Sequence, residues 1–257
     1  MKMIRMDKPL RTKLMEILAR HRSYKAFSNC KESAYEYASL FGISVCLYCN
    51  MNYIHVVIED ESGEKRARPH FDHFVPKSKC AKLAMNPRNL IPACPICNSP
   101  LKGMRDFSSR RQLHPFRDDF DSIMRFYLDI ADPGYMQPEN IAVGLEPACD
   151  NSCKIKKAEN SIKIFCLRER YQLVKGEAVQ VMRLVKTYLE HRTREDFQLV
   201  HGNECDDGFG LLLYDVLHCD INNTSLGKMK RDVMRQFLDN PKSVGKSPGT
   251  NHSCGKG

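Results

Sequence analysis

The chain has 257 residues, enough for one large domain or two small ones, with 42% hydrophobic and 28% charged residues. That balance is too apolar for a disordered chain, and no stretch approaches the roughly 18 apolar residues of a membrane span. Lys and Arg outnumber Asp and Glu by 40 to 31, a net charge of +9 that suits a polyanionic partner without proving one. Met1 to Arg5 lacks the apolar run of a signal peptide, so a cytoplasmic chain with reduced thiols is expected. Twelve cysteines without a tryptophan are the unusual part.

In chain order, Leu10 to His21 carries Leu14, Ile17 and Leu18 at helical spacing among basic residues, and Glu32 to Phe41 repeats the pattern with Gly42 as a stop. Tyr53 to Ile58 reads as a strand, Asp60 to Gly63 as a turn, and Ala67 to Phe74 as a second strand closing a hairpin. Pro76 to Asn86 reads as a loop. Asn89 to Ala93 is a short apolar segment, and a helix is expected from about Asn98. Further on, Ile123 to Ile130 and Tyr135-Met136 suggest another hairpin, with Ile141 to Leu145 a third strand. Ser161 to Val174, Glu177 to His191 and Lys228 to Leu238 have helical periodicity, and the chain beyond Pro241 reads as a frayed tail.

Charge and cysteine are unevenly spread. Ser62 to Arg111 holds eleven basic residues against three acids, as a phosphate-tracking surface would. Only Cys46-Leu-Tyr-Cys49 and Cys94-Pro-Ile-Cys97 have the two-residue gap of a zinc knuckle. Four thiolates at tetrahedral geometry make a closed structural site with no open position for chemistry. Cys149 and Cys153 lack a second pair nearby and read as buried thiols.

Between the knuckles runs Arg68-Pro-His-Phe-Asp72-His73-Phe-Val-Pro76-Lys77. Neighbouring side chains on a regular strand face opposite ways, so Asp72 and His73 cooperate only if the chain leaves the strand there. Asp72 then suits a hard cation and His73 a proton taken from water, which is what a one-metal phosphodiesterase needs. Asn98 can add an oxygen ligand, and Lys102, four residues on, can meet a phosphate. His70 shares a strand face with Asp72 and is a candidate supporting residue. His114, before a proline and near Asp118-Asp119, reads mainly as a turn residue with a supporting metal role open. Lys77, Lys79, Lys82, Arg88 and Arg105 are candidate nucleic-acid contacts.

The order Cys-x-x-Cys, Asp-His-Phe-x-Pro, Asn-Leu-Ile-Pro and Cys-x-x-Cys-Asn-x-x-x-Lys, from Cys46 to Lys102, resembles HNH nucleases of the zinc-stapled type. The resemblance implies an α+β protein: a ββα-metal core at 43–112, an N-terminal helical segment at 1–42 and a mixed, mainly helical region at 113–257. By position it implies His73 as general base, Asp72 and Asn98 as ligands of a catalytic Mg²⁺ or Mn²⁺, and Asn89 as the residue pinning the loop beneath the site. It implies Cys46, Cys49, Cys94 and Cys97 as ligands of a structural Zn²⁺. The 44 residues between the knuckles leave room for additions of the chain's own.

The segments Cys46 to Tyr53, His114 to Phe120 and Ile162 to Tyr171 resemble HNH effectors of bacterial anti-phage systems, of the Septu and retron-associated kinds. That resemblance implies a defence nuclease acting beside an ATPase partner. DNA is the favoured substrate. An RNA such as a tRNA, or a catalytically silent zinc module that only docks nucleic acid or protein, is the alternative.

Overall fold

The computed structural model describes residues 1–130, 137–192 and 206–239. Tyr135-Met136, His201 and the tail beyond Pro241 lie outside them. The protein is α+β, with three two-stranded sheets and eight α-helices among the described residues. The described residues divide into two compact units, 1–125, 147–167 and 220–228 in the first and 126–130, 137–146, 168–192, 206–219 and 229–239 in the second.

In the first unit, α1 (Lys8–Ala19) starts at Asp7, whose carboxylate accepts from the Leu10 amide at 2.9 Å, and it buries Leu14, Ile17 and Leu18. A short α2 (Tyr24–Asn29), capped by Ser23, precedes α3 (Lys31–Ser39). The sequence reading missed α2, because six residues with one buried side chain, Phe27, carry no periodicity. Phe27 nevertheless anchors an aromatic cluster, 5.3 Å from Tyr37 and 5.5 Å from Phe71.

The expected hairpin is divided. Strands β1 (Val57–Ile58) and β2 (Lys65–Ala67) pair across the Asp60 to Gly63 turn, and the chain then breaks at Arg68-Pro69. Strand β3 (His70–His73) pairs instead with β4 (Leu90–Ala93), the segment read only as apolar. Proline lacks the amide a ladder needs, so Pro69 separates the two pairs. After β4 the chain forms a π-helical turn, Cys97–Lys102, where the Gly103 amide reaches back to the Asn98 carbonyl at 3.2 Å. Gly103 has φ +50, and a Cβ there would sit 2.9 Å from the Ser99 carbonyl oxygen, so glycine is required.

Helix α4 (Ser152–Ile164) ends earlier than the expected Ser161 to Val174 span, and α5 (Leu167–Gln172) begins after Cys166 at φ +48. The break places Phe165, 1% exposed, flat against Tyr48 at 4.4 Å. Core packing overrides local propensity at this point. Cys153 is exposed and Cys149 half-buried, which corrects the reading of both as buried thiols. Cys153 lies in the first turn of α4, away from its buried residues Ala158, Ser161 and Ile162.

The second unit holds most of the paired strands β5 (Met124–Ile130) and β6 (Ile141–Pro147), with α6 (Lys175–Arg192), α7 (Asp206–His218) and most of α8 (Gly227–Asp239). Two glutamine amides complete its strand edges: Gln236 bonds the Leu128 amide and carbonyl, and Gln172 those of Val143. Each side chain satisfies one backbone donor and one acceptor, as a neighbouring strand would. Among the described residues no helix is long and apolar enough to cross a membrane.

Candidate active site and metal centre

The two knuckles converge. The Sγ atoms of Cys46, Cys49, Cys94 and Cys97 lie within 4.8 Å of one another, and all four residues are buried. A tetrahedron with zinc–sulfur bonds of 2.3 Å has edges of about 3.8 Å, so the donor set fits zinc. Burial, then the neighbouring thiols, push the Cys46 thiol well up, and a bound cation would reverse this by stabilising thiolates. Local bonds preform each knuckle: the Asn50 amide donates to the Cys46 carbonyl at 2.9 Å, and the Cys97 amide to Cys94 Sγ at 3.4 Å. Asn50 itself, at φ +51, donates to the Ile221 carbonyl and accepts from the Lys228 amide at 3.0 Å.

Between the knuckles, β3 and β4 run antiparallel in register from His70 opposite Ala93 to His73 opposite Leu90. The strand does not end at Asp72: the Phe74 amide continues the ladder onto the Asn89 carbonyl at 2.8 Å. His70 and Asp72 therefore leave one face, Phe71 and His73 the other. This corrects the expectation that the chain leaves the strand there. The physical reason is Asn89. Its side-chain oxygen accepts from the Val75 amide at 2.8 Å, and its Nδ2 donates to the carbonyls of Val75 and Leu83 at 3.0 and 3.1 Å. One buried amide thus holds both ends of the connection between the strands.

His73 is half-buried. Its Nε2 lies 3.1 Å from the Ala84 carbonyl oxygen, and the Tyr24 ring meets it edge-on at 4.3 Å between centroids. A carbonyl only accepts, so Nε2 carries the proton and Nδ1 keeps its lone pair. Burial lowers the imidazole pKa, so the ring is neutral at physiological pH. Tyr24 donates its hydroxyl to the Phe71 carbonyl at 3.1 Å, fixing that contact to the strand.

Asp72 sits differently from the place its spacing suggests. It is 3% exposed; Oδ1 accepts from Lys102 Nζ at 2.9 Å and Oδ2 from the Tyr48 hydroxyl at 2.6 Å. Burial pushes its carboxyl up, while Lys102 and Tyr48 favour the charged form. Lys102, 1% exposed, also donates to the His73 carbonyl at 2.6 Å, which corrects its assignment to a phosphate. A lysine placed between a carboxylate and the carbonyl of the next residue braces the backbone that carries His73. Asn98 is half-buried and turns its amide nitrogen toward His70 Nδ1 at 3.2 Å. Burial, then the Arg68 charge, lower the His70 pKa.

A Mg²⁺ or Mn²⁺ ion prefers six open oxygen positions, several of them water. Asp72 does not fit that requirement as arranged, because both its carboxylate oxygens are engaged and enclosed, and Asn98 alone makes no site. His114 is 5% exposed, with Nε2 on the Arg88 carbonyl at 3.0 Å and Nδ1 accepting from the Phe116 amide at 3.1 Å. It braces a turn. Lys77, Lys79, Lys82, Arg88 and Arg105 are exposed.

Residues 59–102 match the family model of HNH endonucleases. This segment is similar to HNH endonucleases. Among curated proteins and among solved structures, nothing matches the chain. The HNH segment contains His73, Asp72, Asn89, Asn98, Lys102 and the second knuckle, while Cys46 and Cys49 lie before it. Tyr24 and Tyr48 also lie outside it, and the sequence reading gave neither a role. Tyr48 offered a faint signal as a polar aromatic inside a knuckle. Tyr24 offered none.

Proposed function

We propose that the protein hydrolyses phosphodiester bonds of nucleic acid, with DNA the favoured substrate and His73 the general base. One observation carries this reading: the HNH segment holds His73 by Nε2 on the Ala84 carbonyl, leaving a neutral Nδ1 to accept a proton. His73 takes a proton from water, and the hydroxide attacks phosphorus in line. The bond to the 3′ oxygen breaks, leaving a 5′ phosphate and a 3′ hydroxyl that takes its proton from solvent. Asp72, Lys102 and Tyr48 hold the strand from behind, and Asn89 holds the loop bearing Ala84. A divalent cation, Mg²⁺ or Mn²⁺, would neutralise charge on the scissile phosphate when bound, but Asp72 as arranged does not fit it, and no step here runs through it.

The reading extends to an effector of anti-phage defence working beside an ATPase in the cytoplasm. It is supported by the likeness of Cys46 to Tyr53, His114 to Phe120 and Ile162 to Tyr171 to such effectors, and by thiol ligands that need a reducing compartment. An ATPase or reverse transcriptase gene beside this one is the observation that tests it.

His73→Ala should abolish plasmid cleavage while leaving zinc content and nucleic-acid binding intact. Cleavage at the parent rate by His73→Ala would remove His73 from the chemistry. A second reading, a silent zinc module that docks nucleic acid, draws support from the enclosed oxygens of Asp72. Plasmid incubated with Mg²⁺, with and without EDTA, separates the two. Cleavage that EDTA stops supports the enzyme, and no cleavage even with the ATPase added supports the module.

A further inference from the structure

A second basic stretch lies outside the HNH segment. Residues 1–25 hold eight basic side chains and two acids. Helix α1 turns part of this charge toward a groove of about 560 Å³, with Arg11, Met15 and Glu16 on one wall and Asn86, Pro87 and Arg88 on the other. Arg11 and Arg88 are exposed, and among the described residues neither guanidinium has an ion-pair partner. Two unpaired guanidiniums across an open groove would repel each other and gain from an anion between them. Met15, 48% exposed, gives the same groove an apolar surface, and the buried Pro87 backs the other wall.

The second wall is also the far end of the loop that holds the catalytic histidine. Ala84 accepts from His73, the Asn86 amide donates to the Leu83 carbonyl at 3.2 Å, and Asn89 bonds both Leu83 and Val75. Asn86 further fixes the groove by accepting from the Arg88 amide at 2.9 Å, and His114 holds the Arg88 carbonyl. The groove wall and the His73 anchor are thus one braced piece of backbone.

Resting on the nuclease reading, we infer that this groove is a subsite for the substrate's sugar-phosphate backbone, with Arg11 and Arg88 contacting phosphates flanking the cleaved bond. Guanidiniums recognise phosphate in a planar, two-pronged way, and a sugar face can pack on the exposed Met15. Glu16 is the one opposing charge in the groove and weakens binding there.

The test uses the His73→Ala protein, which binds without cutting, and labelled oligonucleotides as duplex DNA, single-stranded DNA and RNA. Binding is followed by fluorescence anisotropy over a range of salt. Arg11→Glu should weaken binding about tenfold and lower the salt slope by about one, with zinc content unchanged. Glu16→Arg should tighten binding and steepen that slope, which keeps the test open should Arg11→Glu fold poorly. Affinity within about twofold of the parent in both variants overturns the groove while leaving the nuclease reading standing. No binding of any oligonucleotide by the parent removes both. Binding of a poly-glutamate peptide in preference to every oligonucleotide overturns the subsite and assigns the groove to an acidic protein. The tightest-binding oligonucleotide identifies the polymer.

Discussion

The first unit contains two antiparallel strand pairs of similar size and opposite character. β1–β2 is closed by a short turn and lies open to solvent, with Val57 and Ile58 43% and 46% exposed and Arg66 paired to Glu59 and Glu64 on the surface. β3–β4 is closed by a long connection and is buried through Phe71, Asp72 and all of β4. The first pair is held by local bonds. The second depends on groups outside the two strands: Tyr48, Lys102, Asn89 and the knuckles on either side. The proposed chemistry falls on the second, and a general base would need a backbone that several independent contacts fix.

This contrast predicts a descending series of effects. Chelating zinc, or Cys97→Ser, should have the largest, collapsing the β3–β4 pair and its π-helical turn while β1–β2 keeps its surface exchange behaviour. Metal analysis should give one zinc per chain, and hydrogen exchange should lose protection at Leu90 to Ala93. Retained protection in a zinc-free chain would make the thiol cluster dispensable.

Lys102→Met should come next. It leaves the Asp72 charge buried without its cation and should cost about 3 to 5 kcal/mol in urea unfolding. A loss below about 1 kcal/mol would mean that the pair does not brace the strand.

The third prediction is a pH effect. Burial pushes the His114 pKa down from 6.5 to about 4, so the folded chain binds fewer protons than the unfolded chain between those values. The contribution is complete above 6.5 and is lost as pH falls toward 4. His114→Phe should flatten that part of the stability profile, as read by thermal melts across the range. An unchanged slope would put the acid sensitivity elsewhere.

The smallest effect belongs to the exposed pair. Arg66→Ala breaks two surface ion pairs and should change stability by no more than about 0.5 kcal/mol. A cost comparable with that of Lys102→Met would erase the contrast between the hairpins.

Much of the site was legible because its residues lie close together in sequence. The Cys-x-x-Cys spacings mark a thiol set that fits zinc, and Asp-His followed by Asn and a knuckle marks an HNH order, from residue types alone. A turn signal at Asp60 to Gly63 made a local hairpin look like the core, whereas Pro69 ends that hairpin and β4 supplies the partner of β3. Tyr24 was illegible because its importance is a 4.3 Å ring contact with a residue 49 positions away.

The sequence by itself determined the likeness to HNH endonucleases over residues 59–102, a thiol set that fits zinc and the candidate histidine, since covalent spacing and residue chemistry suffice for these. The tertiary structure decided which face each side chain takes. A regular ladder through His73 sets Asp72 on the opposite face, and burial there makes an ion pair with Lys102 cheaper than an unpaired carboxylate. It likewise decided that Arg11 stands across a groove from Arg88, because only the packing of α1 against the loop brings two distant charges to one opening.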